Sequence, residues 1–292
     1  MEKCLICGDK SKFERGRQIG SYYYETCLTC GGATLCPREK ALKESRRVYN
    51  SEYFNWGKPK GLKKIIYSLY LYKDYQDWIE EARHGVKGKI LDVGAGMPTF
   101  LINMGKRGWD VFAQELSGSQ GKKIAKAIGP QRVFVGDFEE IQLPKNDFDV
   151  ITFWHVLEHL KFPRRVIKKT RDLLTEGGQV YIELPNLDSF TWKFFGDDYS
   201  LLRIPEHTFY FSSRSLKILL ERNGFRIKGV SYPMKLNSTF SASFINAALK
   251  KIKSEDFLSL LYYLSLPFSF AWSFILSLLG RNEILRVVAE KR

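Results

Sequence analysis

The chain has 292 residues, 44% of them hydrophobic, enough for one sizeable core plus a small accessory module and too apolar for a disordered polypeptide. Lys and Arg outnumber Asp and Glu by 46 to 32, a net charge of +14, so an anionic partner is expected: an anionic acceptor, nucleic acid or an anionic membrane surface, unless the charge only solvates a basic exterior. Met1-Glu2-Lys3-Cys4 carries no apolar signal-peptide core, so a reducing, cytoplasmic compartment is expected and disulfides are not.

The first element is a pair of knuckles, Cys4-Leu5-Ile6-Cys7-Gly8 and Cys27-Leu28-Thr29-Cys30-Gly31, nineteen residues apart with a β-rich stretch, Ile19 to Glu25, between them. This is zinc-ribbon spacing: each tight turn offers two thiolates, the glycine permits the turn, and Cys4, Cys7, Cys27 and Cys30 complete a closed tetrahedron around a structural zinc. Cys36 is the odd thiol and reads as a packed small side chain. Residues 1–36 therefore form a zinc ribbon, and 37–88 a basic and aromatic helical connector. Its Tyr67, Tyr70 and Trp78 recur near a helical period, as rings of a core or a lid do.

A third unit, 89–292, begins at Lys89-Ile90-Leu91-Asp92-Val93-Gly94-Ala95-Gly96, an apolar strand ending in an acid and a glycine turn. Gly94 and Gly96 let the backbone turn sharply and approach a ligand, and Phe100 to Lys106 can open a helix. The run Trp109 to Ala113 ends in Gln114-Glu115, about twenty residues on, where a Rossmann-like unit presents an acid to a ribose diol. A third run, Arg132 to Val135, ends in Gly136-Asp137. Strands ending in acids, separated by helical stretches, build an open parallel sheet that surrounds an adenosine at its carboxyl edge. Met97-Pro98 stands where cofactor loops of this kind, nicotinamide-binding ones included, usually have a third glycine, and the proline predicts an altered cofactor loop.

These motifs, with Phe148-Asp149-Val150-Ile151, resemble those of class I S-adenosylmethionine-dependent methyltransferases. His155-Val156-Leu157-Glu158-His159-Leu160, the stretch Leu173 to Ile182, Leu184-Pro185-Asn186 and Pro205-Glu206-His207 resemble the branch of ubiquinone-biosynthesis O-methyltransferases and bacterial polysaccharide or small-molecule methyltransferases. The resemblance spans roughly 89–232. It implies an α/β fold with a seven-stranded, mostly parallel Rossmann-like sheet and helices on both faces. It also implies S-adenosylmethionine as cofactor, held by Asp92, Gly94, Gly96, Glu115, Asp137 and Phe138, and a lid at Tyr49 to Phe54. Asp137 also reads as a helix cap. His155, just after the strand Val150 to Trp154, is the leading general base and His207 the second; each also reads as a packing or pocket-lining residue. Some relatives in this branch hold a metal with acidic and histidine side chains at the matching position, but His155 stands where an acid is expected, which argues against catechol-type metal assistance. The inverted zinc-protease reading of His155 to His159 needs a long amphipathic helix and is rejected.

Phe257 to Leu279 is a 23-residue uncharged stretch, preceded by Lys250, Lys251 and Lys253 and interrupted at Pro267. Because Glu283 to Lys291 resembles the last strand of the sheet, this stretch is expected as two short helices hinged at Pro267, inserted at about 240–280, and not as a membrane span. Ser265, Ser269, Ser273 and Ser277 form a small-residue stripe, and the remaining apolar faces are expected against the core, a second copy of the chain or a membrane interface. The function expected is O-methylation of a hydroxyl on a sugar, a polysaccharide precursor or another small molecule, anionic or lipid-linked. The alternatives are an RNA methyltransferase, disfavoured by the missing Asn-Pro-Pro-Tyr-like element after Asp149, and a non-catalytic binding module that kept the fold.

Overall fold

The computed structural model describes residues 2–48, 73–234, 243–244, 246–247 and 255–292. The expected lid at Tyr49 to Phe54, with Tyr67 and Tyr70, lies outside the described residues. The chain opens with a hairpin, β1 (Glu2–Lys3) and β2 (Lys10–Ser11), followed by β3 (Phe13–Ile19), β4 (Tyr22–Cys27), β5 (Ala33–Cys36) and helix α1 (Arg38–Val48). A helix at 73–82, α2, leads into the large sheet.

That sheet takes β6 (Lys89–Val93), β7 (Asp110–Glu115), β8 (Val133–Val135), β9 (Phe148–Trp154), β10 (Leu174–Pro185), β12 (Phe225–Ser231) and β13 (Ile284–Lys291). It has the seven strands expected, and they lie in the order β12-β13-β10-β9-β6-β7-β8. All neighbours are parallel except β13, which enters antiparallel between β10 and β12. β6 begins the sequence order yet lies mid-sheet beside β9, so the connections diverge there and leave a crevice at the carboxyl ends of β6 and β9. Ile90, Leu91 and Val93 of β6 are all buried, which is why the strand reads as a continuous apolar run and not as an alternation.

Helices α3 (Thr99–Lys106), α4 (Gly118–Ile128), α5 (Pro163–Leu173) and α7 (Ser213–Glu221) connect these strands, and the short α6 (Phe190–Phe195) follows β10. On one face Phe100, Leu101 and Met104 of α3 join Tyr75 and Ile79 of α2 over Ile90 and Val150. On the other, Val166 of α5 and Leu216 and Leu219 of α7 pack with Leu91, Phe153 and Ile182, and in the same cluster with Cys4, Cys7, Cys27 and Cys30. Full burial of each such Leu or Phe contributes about 1.5–3 kcal/mol, so the cysteine knuckles rest on a face that stabilises the whole chain. Pro98 is the N-cap of α3, its φ of −72° and its carbonyl accepting from Ile102 N at 2.9 Å. At a helix start the missing N–H costs nothing, so the residue that looked disruptive in sequence initiates a helix.

Strand β11 (Phe209–Tyr210) does not join the large sheet. It pairs antiparallel with β5, Phe209 opposite Thr34 and Tyr210 opposite Ala33, giving a four-stranded sheet β11-β5-β4-β3 that draws on residues nearly two hundred positions apart. Arg222 binds the Cys7 carbonyl at 2.8 Å and Asp9 at 2.7 Å, and Arg214 the Thr29 carbonyl at 2.8 Å. The N-terminal module is thus clamped to α7 and its flanks.

The apolar stretch before β13 corrects one expectation. It is a single helix, α8 (Glu255–Leu278), that passes through Pro267 without a break. One missing backbone hydrogen bond does not outweigh the turns that propagate on either side, and the proline sits on the exposed side of the helix. Among the described residues no helix is long and apolar enough to cross a membrane. Ser269 and Ser273 face inward, Ser273 Oγ lying 3.1 Å from Asn282 Oδ1, and Ser277 donates to the Tyr232 carbonyl.

Candidate active site

A cavity of about 370 Å³ opens at the carboxyl ends of β6, β7 and β9. The residues named from sequence at Gly94, Gly96, Glu115, Asp137, Phe138 and His155 all line it. Gly94 has φ of +65°, and a Cβ there would meet Val156 Cγ2 at 2.8 Å; Gly96 has φ of +55°. The Glu115 carboxylate accepts from Gly96 N and Ser117 N, each at 2.9 Å, and burial pushes its pKa up. Asp137 accepts from Glu139 N at 3.0 Å and pairs with Lys161 at 3.1 Å, so it both caps a turn and faces the cavity.

Asp92 does not line the cavity. Its carboxylate is buried and accepts from Thr152 Oγ1 at 2.6 Å, and burial raises its pKa to about 7. Gln114, which sequence reading passed over, holds the loop: its Oε1 accepts from Gly94 N at 3.1 Å and its Nε2 donates to the Gly136 carbonyl at 2.6 Å. Leu42 and Ser45 of α1 also line the cavity, so the N-terminal module supplies part of its wall.

His155 occupies left-handed backbone space at φ +55°, which costs a non-glycine residue about 1–3 kcal/mol, so its surroundings must hold it there. Its N–H donates to the Glu183 carbonyl at 2.8 Å, its Nε2 lies 3.1 Å from Glu183 Oε1, and its Nδ1 lies 3.5 Å from Glu158 Oε1. Burial works against a charge on the ring, but the two carboxylates prevail and raise its pKa to about 9. Two carboxylates beside the ring favour its protonated form, which suits His155 to donating a hydrogen bond. Behind it runs a buried polar chain: Glu183 also accepts from Tyr75 Oη and Arg286 Nε, both at 2.7 Å, and Arg286 pairs with Asp74. Tyr75 stacks on Trp154, which lines the cavity, at 4.0 Å.

Leu157–His159 forms a short 3-10 turn and goes no further as a helix, because the chain must leave it extended to reach Pro163 at the start of α5. His159 lines the cavity; its Nδ1 lies 2.9 Å from the Glu206 carbonyl, a contact only an N–H can make, so Nε2 carries the lone pair. Burial lowers its pKa, keeping it neutral. His207 is buried outside the cavity lining; burial, then the charges of His159, Arg203 and His155, lower its pKa well below the usual range. Glu158, His159 and His207 bring ligand atoms within 4.8 Å of one another, and neither oxygen of the buried Glu158 nor His207 Nδ1 has a hydrogen-bond partner. A carboxylate and two neutral imidazoles in this arrangement can take a divalent cation.

The four cysteines converge as their spacing implies. All are free and buried, their Sγ atoms lie within 4.8 Å of one another, and the Cys4–Cys30 and Cys7–Cys27 separations are 3.9 Å. Such separations are far beyond a disulfide and near the ~3.8 Å edge of a tetrahedron with Zn–S bonds of about 2.3 Å. The hydrogen bond with Cys30 holds the Cys4 thiol down, at about 5, and pushes Cys30 above the usual thiol range. Cys36, buried and 3.5 Å from Glu25 Oε2, stands apart from the cluster.

A sheet of this strand order, with a glycine turn and an acidic strand end at the crevice, defines the class I methyltransferase fold. The chain belongs to the methyltransferase domain family, which matches residues 67–228, more than half its length. It is 29% identical over 143 residues to a ubiquinone biosynthesis O-methyltransferase of Acinetobacter baylyi, covering 45% of this chain and 59% of that protein. It is 30% identical over 142 residues to the protein of the same description from Dechloromonas aromatica, covering 45% and 60%. The match thus spans about three fifths of the length of these relatives. Among solved structures the fold resembles a SAM-dependent methyltransferase from Archaeoglobus fulgidus (TM-score 0.52, 18% identity, covering 77% of this chain and 94% of that one). It also resembles a protein from Pyrococcus horikoshii (TM-score 0.54, 12% identity, covering 83% and 100%).

Proposed function

We propose that the protein transfers a methyl group from S-adenosylmethionine to a hydroxyl of a small-molecule acceptor, with a sugar or polysaccharide precursor the first class to test. The observation that carries this reading is the crevice itself: Gly94 and Gly96, both at positive φ, turn the chain at the end of β6 and line the cavity, and Glu115 stands at the end of β7 where a ribose diol would meet it. The relatives' description as O-methyltransferases supports a hydroxyl acceptor. The sulfonium is already an activated leaving group, so the protein has to align the acceptor, exclude water and take one proton. His159 is the side chain suited to that last step, because it is neutral, lines the cavity and has its tautomer set by the Glu206 carbonyl. The protonated His155, fixed by Glu158 and Glu183, then acts as a donor that orients the acceptor. In the N-terminal module the reading is a structural zinc on Cys4, Cys7, Cys27 and Cys30 that braces β5 and α1.

One observation favours a second version of the chemistry. The Glu158 carboxylate, which makes no hydrogen bond beyond its 3.5 Å ion-pair approach to His155, fits a divalent cation together with His159 and His207, and such a cation would lower the pKa of a hydroxyl brought against it in place of a base. Thermal melts with S-adenosylhomocysteine against NAD and buffer test the cofactor, since a ligand of the folded state raises its stability by RT ln(1 + [L]/Kd). A rise with the adenosyl ligand alone is expected; a rise with NAD alone refutes the reading. Labelled methyl donor with glycan, lipid-linked and RNA extracts, with and without chelator, then separates the acceptor classes and the two versions.

A further inference from the structure

Helix α8 is built inside out. Its inward positions are Ser269, Ser273 and Leu276, whereas Leu260, Leu264, Phe268, Phe274, Ile275 and Leu278 are each between 45% and 74% exposed. At 3.6 residues per turn these six, with Pro267 and Ala271, project onto less than half of the circumference, and no charged residue interrupts them. An ordinary surface helix turns its apolar stripe to the core and its polar one to water. Here the serines are used to pack: Ser273 contacts Asn282, and Ser277 bonds Tyr232. Beside α8, Phe190 of α6 meets Trp272 at 5.3 Å, and the next turn of α6 adds Phe194, 66% exposed, to the same apolar region.

We propose that this face lies in the surface of an anionic lipid bilayer, with α8 parallel to the membrane plane and its apolar arc among the acyl chains. Three observations choose this occupant. The helix is not long and apolar enough to cross, yet presents a continuous apolar arc, the form of an interfacial helix. Basic residues flank it, with Lys250, Lys251 and Lys253 before it in the sequence and the exposed Arg281 after it, and the exposed Lys193 on α6. The chain carries +14, which draws it to an anionic surface and sets two copies of it against each other. The inference is independent of the methyl-transfer reading, because membrane binding needs neither cofactor nor acceptor.

The test is co-sedimentation of the full chain with phosphatidylcholine vesicles and with vesicles containing about one third phosphatidylglycerol. The protein is expected to pellet with the anionic vesicles only and to be released at high salt. Leu264→Glu/Phe268→Glu should weaken binding at least tenfold, and Leu264→Ser/Phe268→Ser less, while both keep the wild-type melting temperature because these side chains are exposed. Absence of binding to anionic vesicles, or equal binding by the Glu variant, overturns the proposal. So does a dimer in sedimentation equilibrium that the Glu variant abolishes, which would assign the face to a second copy of the chain.

Discussion

Two carboxylates set the behaviour of the site at the scale of single residues. Glu115 is the group expected to meet the cofactor ribose, and a hydrogen bond to a charged group contributes about 1.5–3 kcal/mol. Glu115→Ala should therefore lower affinity for S-adenosylhomocysteine roughly tenfold to a hundredfold in calorimetry. Glu183 is the hub of Tyr75, His155 and Arg286, and Glu183→Gln leaves the buried Arg286 with Asp74 alone. Denaturant unfolding should register a loss of about 3–5 kcal/mol, the usual cost of breaking a buried ion pair. His155 adds a pH signature. Its folded pKa of about 9 stands above the ordinary histidine value, so the stability it contributes is complete below about pH 6.5 and declines as pH rises through 9. Unfolding measured at several pH values should show that decline in the wild type and a flatter profile in Glu183→Gln; equal profiles would mean that the clamp does not hold the proton.

At the scale of elements, Pro98 offers the sharpest contrast between sequence and structure. As the N-cap of α3 it makes no demand that the loop cannot meet, so Pro98→Ala should leave S-adenosylhomocysteine affinity within about twofold and cost only ~0.4–1 kcal/mol of stability by freeing the unfolded chain. The strands were legible because each ends in a marker of its own: Gly94 after β6, Glu115 closing β7, Asp137 after β8. The knuckles were legible because residue type and spacing repeat together in two Cys-x2-Cys-Gly turns, and the four thiols do converge. The His155 clamp was not, since Glu183 is 28 residues away on the neighbouring strand and becomes a partner only when β9 and β10 lie side by side. Nor were Gln114 and the α1 wall, for an amide beside an acid and a Leu-Ser pair on a basic helix carry no local signal. In α8 the four-residue serine period was visible and its inward direction was derivable, but the uninterrupted passage through Pro267 depended on turns on both sides that local propensity does not weigh.

Across the whole molecule, the N-terminal module and the cavity share residues. The β5–β11 pairing and the bond from Leu35 N to the Thr208 carbonyl at 3.0 Å tie the segment carrying His207 to the cysteine sheet, while α1 places Leu42 and Ser45 at the cavity. Cys27→Ser should lower the bound zinc measured by atomic emission from one per chain toward none. It should also raise hydrogen exchange in 33–45 and 207–211 together, although these stretches are distant in sequence. Exchange confined to the first stretch would show that the module folds without reference to the site.

The place of β13 in the sheet has a consequence for how the chain is made. β10 and β12 do not touch; each pairs with β13, whose residues 284–291 leave the ribosome after both have emerged. Until then β10 offers an open edge of apolar backbone, and β12 has no sheet to join. The step that closes the sheet therefore waits until its other six strands have been made, and a chain halted before residue 284 should be held by chaperones or aggregate with those six strands in place.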